Sequence, residues 1–152
     1  MRSSPHGLLP DGAELLAIAA IWKTQRRELT ASFGGASMEP SIRSGQPLRL
    51  LCGAGFDVGD VIAFVIEDQL GVHRVVAKYD GWILTRGDAK TLPDPPLCDL
   101  SRVVARIAEV PPHRETMRGW LAKQLLLTNC KGRAEVVERR RQLLQRVAAL
   151  LS

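Results

Sequence analysis

The residues best suited to chemistry stand in the block Gly35-Ala36-Ser37-Met38-Glu39-Pro40-Ser41-Ile42. Ser37 follows a glycine pair, Gly34-Gly35, and Pro40 lies three positions after it. Glycines ahead of a nucleophile let backbone approach a substrate, and the proline stiffens the segment behind it. A serine hydroxyl is a poor nucleophile at neutral pH, so it needs a base within hydrogen-bond reach. An imidazole, whose ordinary pKa is ~6.5, is mostly neutral there and can take the proton, then return it to a leaving amine. A carboxylate on the other ring nitrogen would fix the tautomer and stabilise the imidazolium.

Such groups must be brought together by the elements that carry them. Asp11 is an N-cap for a helix expected over residues 12–30, with Leu15, Leu16, Ile18, Ala19 and Trp22 on one apolar face. Ser37 then falls between the glycine turn and the first strand. From Gln46 to Val110 short apolar runs alternate with turn residues, and strands are expected at 47–52, 61–67, 71–78, 82–85 and 102–110. Asp80-Gly81 marks a hairpin between the third and fourth of these. Pro93, Pro95 and Pro96 interrupt the chain before the last strand, and Pro111-Pro112 follow it. Two helices are expected at 114–129 and 134–151, separated by Asn129 and Gly132. Three parts result: an arm and helix at 1–33, a compact β domain at 34–112, and a basic helical hairpin at 113–152.

Five blocks recur in a familiar order. The nucleophile block is followed by Val58-Gly59-Asp60-Val61-Ile62-Ala63-Phe64 and then Gly71-Val72-His73-Arg74-Val75-Val76. Next come Leu84-Thr85-Arg86-Gly87-Asp88-Ala89-Lys90 with Asp94, and the strand from Val103 to Pro111. Over roughly residues 34–112, about half the chain, this order resembles the type I signal peptidases and their relatives, the self-cleaving SOS-type repressors. His73-Arg74 is similar to the histidine-base branch, where bacterial enzymes have a lysine before the arginine.

The resemblance implies a signal-peptidase-like β-fold and a role for each block. Ser37 would be the nucleophile and His73 its general base. Asp94 matches the family's last aspartate and would support the imidazole, with Asp88 as the alternative carboxylate. Met38 and Gly35 would border the substrate groove, and the Ser37 N–H would meet the oxyanion. Neither metal nor organic cofactor is implied. The substrate would be an extended segment with small residues near the cut. Three departures stand out: Gly35 replaces a serine that helps bind the oxyanion, Ala89 and Lys90 replace asparagines, and a short helix stands where the family carries a membrane anchor.

Composition narrows the alternatives. Of 152 residues 45% are apolar, which opposes wholesale disorder, and 5% aromatics oppose a base-stacking platform. Three widely spaced cysteines (Cys52, Cys98, Cys130) exclude a disulfide scaffold and speak against a Cys-rich zinc site. His6, His73 and His113 lack metal-protease spacing. The longest early apolar run, Leu15–Trp22, has eight residues, far short of the ~20 needed to span a bilayer. Asp11 and Glu14 ahead of it do not suit a secretory leader, so a soluble cytoplasmic protein is expected.

The formal charge of +5 is unevenly spread: residues 113–152 carry nine Lys/Arg against three Glu. Arg139-Arg140-Arg141 reads first as a solvated helix face, and otherwise as a contact for an acidic partner or an anionic membrane surface. Without aromatic interleaving or a helix-turn-helix pattern it does not read as a nucleic-acid site.

The expectation is therefore a mainly-β (α+β) fold, a signal-peptidase-like β domain with helical additions at both ends. Its function would be that of a serine endopeptidase acting on a leader or signal-like segment of a peptide or protein. The competing expectation is a binding or regulatory module that keeps the groove without efficient catalysis and engages a partner or membrane surface through its basic helices. Self-cleavage ranks third.

Overall fold

In the computed structural model, which describes residues 11–110, 117–128 and 133–152, Asp11 closes a capping box. Its side chain accepts from Glu14 N at 2.9 Å while Glu14 Oε2 accepts from Asp11 N at 3.3 Å, satisfying donors that a helix start leaves open. The helix that follows, α1, is Gly12–Thr24. It ends six residues short of the expected boundary, and residues 28–32 form a strand instead. The cause is a Schellman-type stop: Arg26 takes φ 51°, Arg27 N donates to Trp22 O and Arg26 N donates to Lys23 O. Glycine usually fills that left-handed position; here an arginine does, so nothing in the residue types marks the end.

Strands β1 (Glu28–Ser32), β2 (Pro47–Cys52), β3 (Val61–Ile66), β4 (Gln69–Tyr79), β5 (Trp82–Arg86) and β6 (Val103–Ile107) form one antiparallel sheet ordered β1-β2-β6-β3-β4-β5. A 3₁₀ turn, Leu100–Arg102, precedes β6 and Glu109 takes φ 58° after it, so the final strand is shorter at both ends than the apolar run suggests. Glu67-Asp68 joins β3 to β4, and Asp80-Gly81 joins β4 to β5 with Gly81 at φ 79°. The chain is thus an α+β, mainly-β protein.

Central strand β3 is apolar at every position because both faces are covered. Val61, Ala63 and Val65 pack with Leu15 and Ala19 of α1, whereas Ile62 and Phe64 pack with Val75, Ile83 and Val103. In β2 only alternate residues, Leu48, Leu50 and Cys52, are buried, while Arg49 lies at the surface. Helices α2 (Met117–Leu127) and α3 (Ala134–Leu150) dock through Leu126 and Val137 onto Ala77, Trp82 and Leu84. Both anchors are fully buried, so truncating either to alanine would cost about 2–4 kcal/mol.

No helix of the described residues is long and apolar enough to cross a membrane. The arm up to Pro10 with His6, the proline pair at 111–112, His113, the expected helix start at Arg114, and Asn129, Cys130 and Gly132 lie outside the described residues.

Candidate active site

Ser37 sits in a turn that the sheet leaves open between β1 and β2. Gly35 has φ 90°, Glu39 N donates to Ala36 O, and Ile42 N donates to Met38 O. Met38 and Ile42 are buried in the core and hold the turn from beneath. From the far side Ala89 N donates to Ser37 O at 2.9 Å, tying the serine to the segment after β5.

His73 stands on β4 opposite Ile62 of β3, with 9% of its surface exposed. Its Nε2 is 3.1 Å from Ser37 Oγ, and its Nδ1 hydrogen-bonds Asp94 Oδ2. Asp94 lies beyond β5 and is fixed twice by Thr85: Asp94 N donates to Thr85 O at 2.8 Å, and Thr85 Oγ1 donates to Asp94 Oδ2 at 2.8 Å. Lys90 Nζ is 3.7 Å from the other carboxylate oxygen. In the tautomer whose Nδ1–H donates to Asp94, Nε2 faces the serine hydroxyl as an acceptor. In this tautomer a proton can pass from Oγ to Nε2.

The two candidate carboxylates have separate places. Asp94 is on the imidazole; Asp88 takes a fork from Arg74, with Nε at 2.8 Å and Nη2 at 2.7 Å. Arg74 also donates to Gly59 O at 2.7 Å. This pair, almost wholly buried on the Asp88 side, joins β4 to the turn before β3 and to the loop after β5. Asp88 therefore acts on the position of the strand bearing His73, not on its ring.

Gly87 explains how two segments come so close. A Cβ there would lie 2.5 Å from Ser37 O and 3.1 Å from His73 Nε2, so only glycine lets the post-β5 loop cross behind the serine. Thr85, Gly87 and Lys90 stand in the fourth block, yet their residue types give them no place beside the serine. A threonine in an apolar strand and a glycine beside an aspartate look like ordinary strand and turn residues until the fold apposes them.

A cleft of about 440 Å³ opens at Ser37 and His73, between residues from the 33–35 segment and residues 69–72 of β4, with Met38, Ile42 and Leu48 also lining it. Strand β5 pairs with β4 only from Arg74 onward, so among the described residues no strand pairs with the opposite edge of 69–73. Along this cleft Gly35 presents no side chain, and no oxygen of the described residues accepts from the Ser37 N–H. A second cleft of about 640 Å³ reaches Asp94 from the α1 side but touches neither Ser37 nor His73.

Cys52 is no rival nucleophile: it is buried in the core, and burial pushes its thiol up, away from the reactive thiolate. No group of three or more His, Cys, Asp or Glu side chains among the described residues is arranged to hold a metal ion. No family model, curated protein or solved structure matches the chain.

Proposed function

We propose that the chain is a serine endopeptidase similar to the signal peptidases of the histidine-base branch. The observation that carries the reading is the line Ser37 Oγ, His73 Nε2, His73 Nδ1, Asp94 Oδ2, with the serine at 3.1 Å from its base. Ser37 Oγ attacks a peptide carbonyl as its proton moves to Nε2; the C–N bond breaks as that proton passes to the leaving amine. Water, deprotonated by His73, then cleaves the acyl-enzyme. Asp94 carries the imidazolium's charge through both halves.

The tetrahedral oxygen meets the Ser37 N–H, an unengaged backbone donor at the nucleophile. Gly35 adds no second hydroxyl, and the absence of one such donor costs ~3 kcal/mol of transition-state stabilisation. Turnover is correspondingly slow. The substrate binds extended in the cleft, adding a strand to the open edge of residues 69–73. It is a peptide or protein segment with small residues at the cut. A cytoplasmic location accompanies this reading, in keeping with the free thiols of Cys52 and Cys98.

Gly35 also favours a second reading, a peptide-binding module with little catalysis. A library of small-residue peptides, read by mass spectrometry, separates the two. The wild type is expected to cut peptides that Ser37→Ala and His73→Ala leave intact, and Asp94→Asn to lose about 10⁴-fold in kcat through the wrong tautomer. If the wild type cuts nothing that the variants spare, the peptidase reading fails; equal binding of peptides by wild type and Ser37→Ala without cutting then supports the module.

A further inference from the structure

Large exposed apolar side chains are concentrated in one part of the molecule. Of eleven such residues among those described, seven lie on the C-terminal helices, among them Met117, Trp120, Leu121 and Leu125 on α2, and an eighth, Leu151, caps α3. Their spacing makes stripes. Met117, Leu121 and Leu125 recur every fourth residue on α2, on the side away from buried Gly119, Ala122 and Leu126. Leu143, Val147 and Leu150, spaced by four and then three residues, make a similar stripe on α3. Helix α2 is thus apolar on both sides, yet only one side packs against the sheet. An apolar face left uncovered in this way marks a contact surface.

Charge identifies the cover. Arg118 lies one turn from Leu121; Arg139 and Arg146 lie one turn from Leu143 on either side, and all three are exposed. Arg140 and Arg141 are engaged within the hairpin, the first donating to the Leu125 and Thr128 carbonyls and the second to Glu138. The cations left at the stripes are therefore those pointing outward. Helix α2 has no acidic residue, and the acids of α3 are Glu135 and Glu138, the latter held by Arg141. A second copy would set arginine against arginine. Aliphatic stripes edged by arginine, with a tryptophan at the side, match the boundary of an anionic bilayer.

We propose that the outer face of α2 and α3 docks the protein on the surface of an anionic lipid bilayer, without spanning it. The inference is independent of the peptidase reading. The full chain is sedimented with vesicles of phosphatidylcholine alone, and with vesicles in which roughly a quarter of the lipid is phosphatidylglycerol. Binding is expected to the second only, weakened by salt. The pair Leu121→Ser with Leu125→Ser should lower it about tenfold or more. Arg139→Gln and Arg146→Gln should each lower it about fivefold. These positions are exposed, so thermal unfolding of the variants should match the wild type, and brominated lipid should quench the emission that Trp120→Phe removes. Absence of binding to the anionic vesicles, or equal binding with and without the anionic lipid, overturns the proposal. So does binding that the leucine variants leave intact. A dimer in sedimentation velocity that the same variants disperse, with no vesicle binding, assigns the stripes to a second copy and overturns it too.

Discussion

Thr85 and His73 meet on a single carboxylate oxygen, Asp94 Oδ2, with the threonine hydroxyl donating to it from 2.8 Å. The hydroxyl holds the carboxylate in place while the imidazole uses it. Thr85→Val keeps the shape of this buried side chain and removes its donor. We expect kcat to fall about tenfold with KM unchanged, and stability to fall by about 1 kcal/mol. Steady-state kinetics on a cleaved peptide, with a urea unfolding curve, would check both. A role confined to packing would lower stability and leave kcat alone.

Gly87→Ala tests the close crossing behind the serine. The added methyl would sit 2.5 Å from the Ser37 carbonyl oxygen, and backbone must move to admit it. Overpacking of this kind costs about 1–3 kcal/mol. A shift of the serine by even ~1 Å should lower kcat about 100-fold. The melting temperature and the acylation rate report the two effects separately.

Arg26→Gly should act in the opposite direction. Arg26 holds φ 51° at the end of α1, a conformation that costs a side chain about 1 kcal/mol and glycine almost nothing. The exposed contact from Arg26 to Gly53 O, at 3.3 Å, is lost in exchange and is weak. A rise of about 0.5–1 kcal/mol in urea unfolding, with peptide cleavage unchanged, is expected.

Much of this arrangement can be read from residue order. Alternation in Leu48-Arg49-Leu50 and the Asp80-Gly81 turn mark strands and a hairpin because those signals are local. Ser37, His73 and Asp94 are legible through the order of their blocks. The end of α1 is hidden because an arginine takes the left-handed position, and β1 because its five residues gain their structure from pairing with β2. Block order already sets Asp94 ahead of Asp88, but what each carboxylate touches is non-local. Both lie in the loop after β5, two and eight residues beyond Arg86, and the course of that loop past Ser37 and the fork from Arg74 separate their tasks.

The strand order has a consequence for when the molecule becomes complete. Ser37 belongs to the β1–β2 part of the sheet and His73 to the β3–β4–β5 part, and β6 lies between them as the sheet's connecting strand. Every side chain of the Ser37–His73–Asp94 line is synthesised before Val103, the first residue of that strand. A nascent chain emerging from the ribosome therefore carries all three groups while the two parts of the sheet still lack their join. Apposition of the three groups is thus a late event in biosynthesis, and a chain cut short before β6 would hold Ser37 and His73 without the strand that sets them in register.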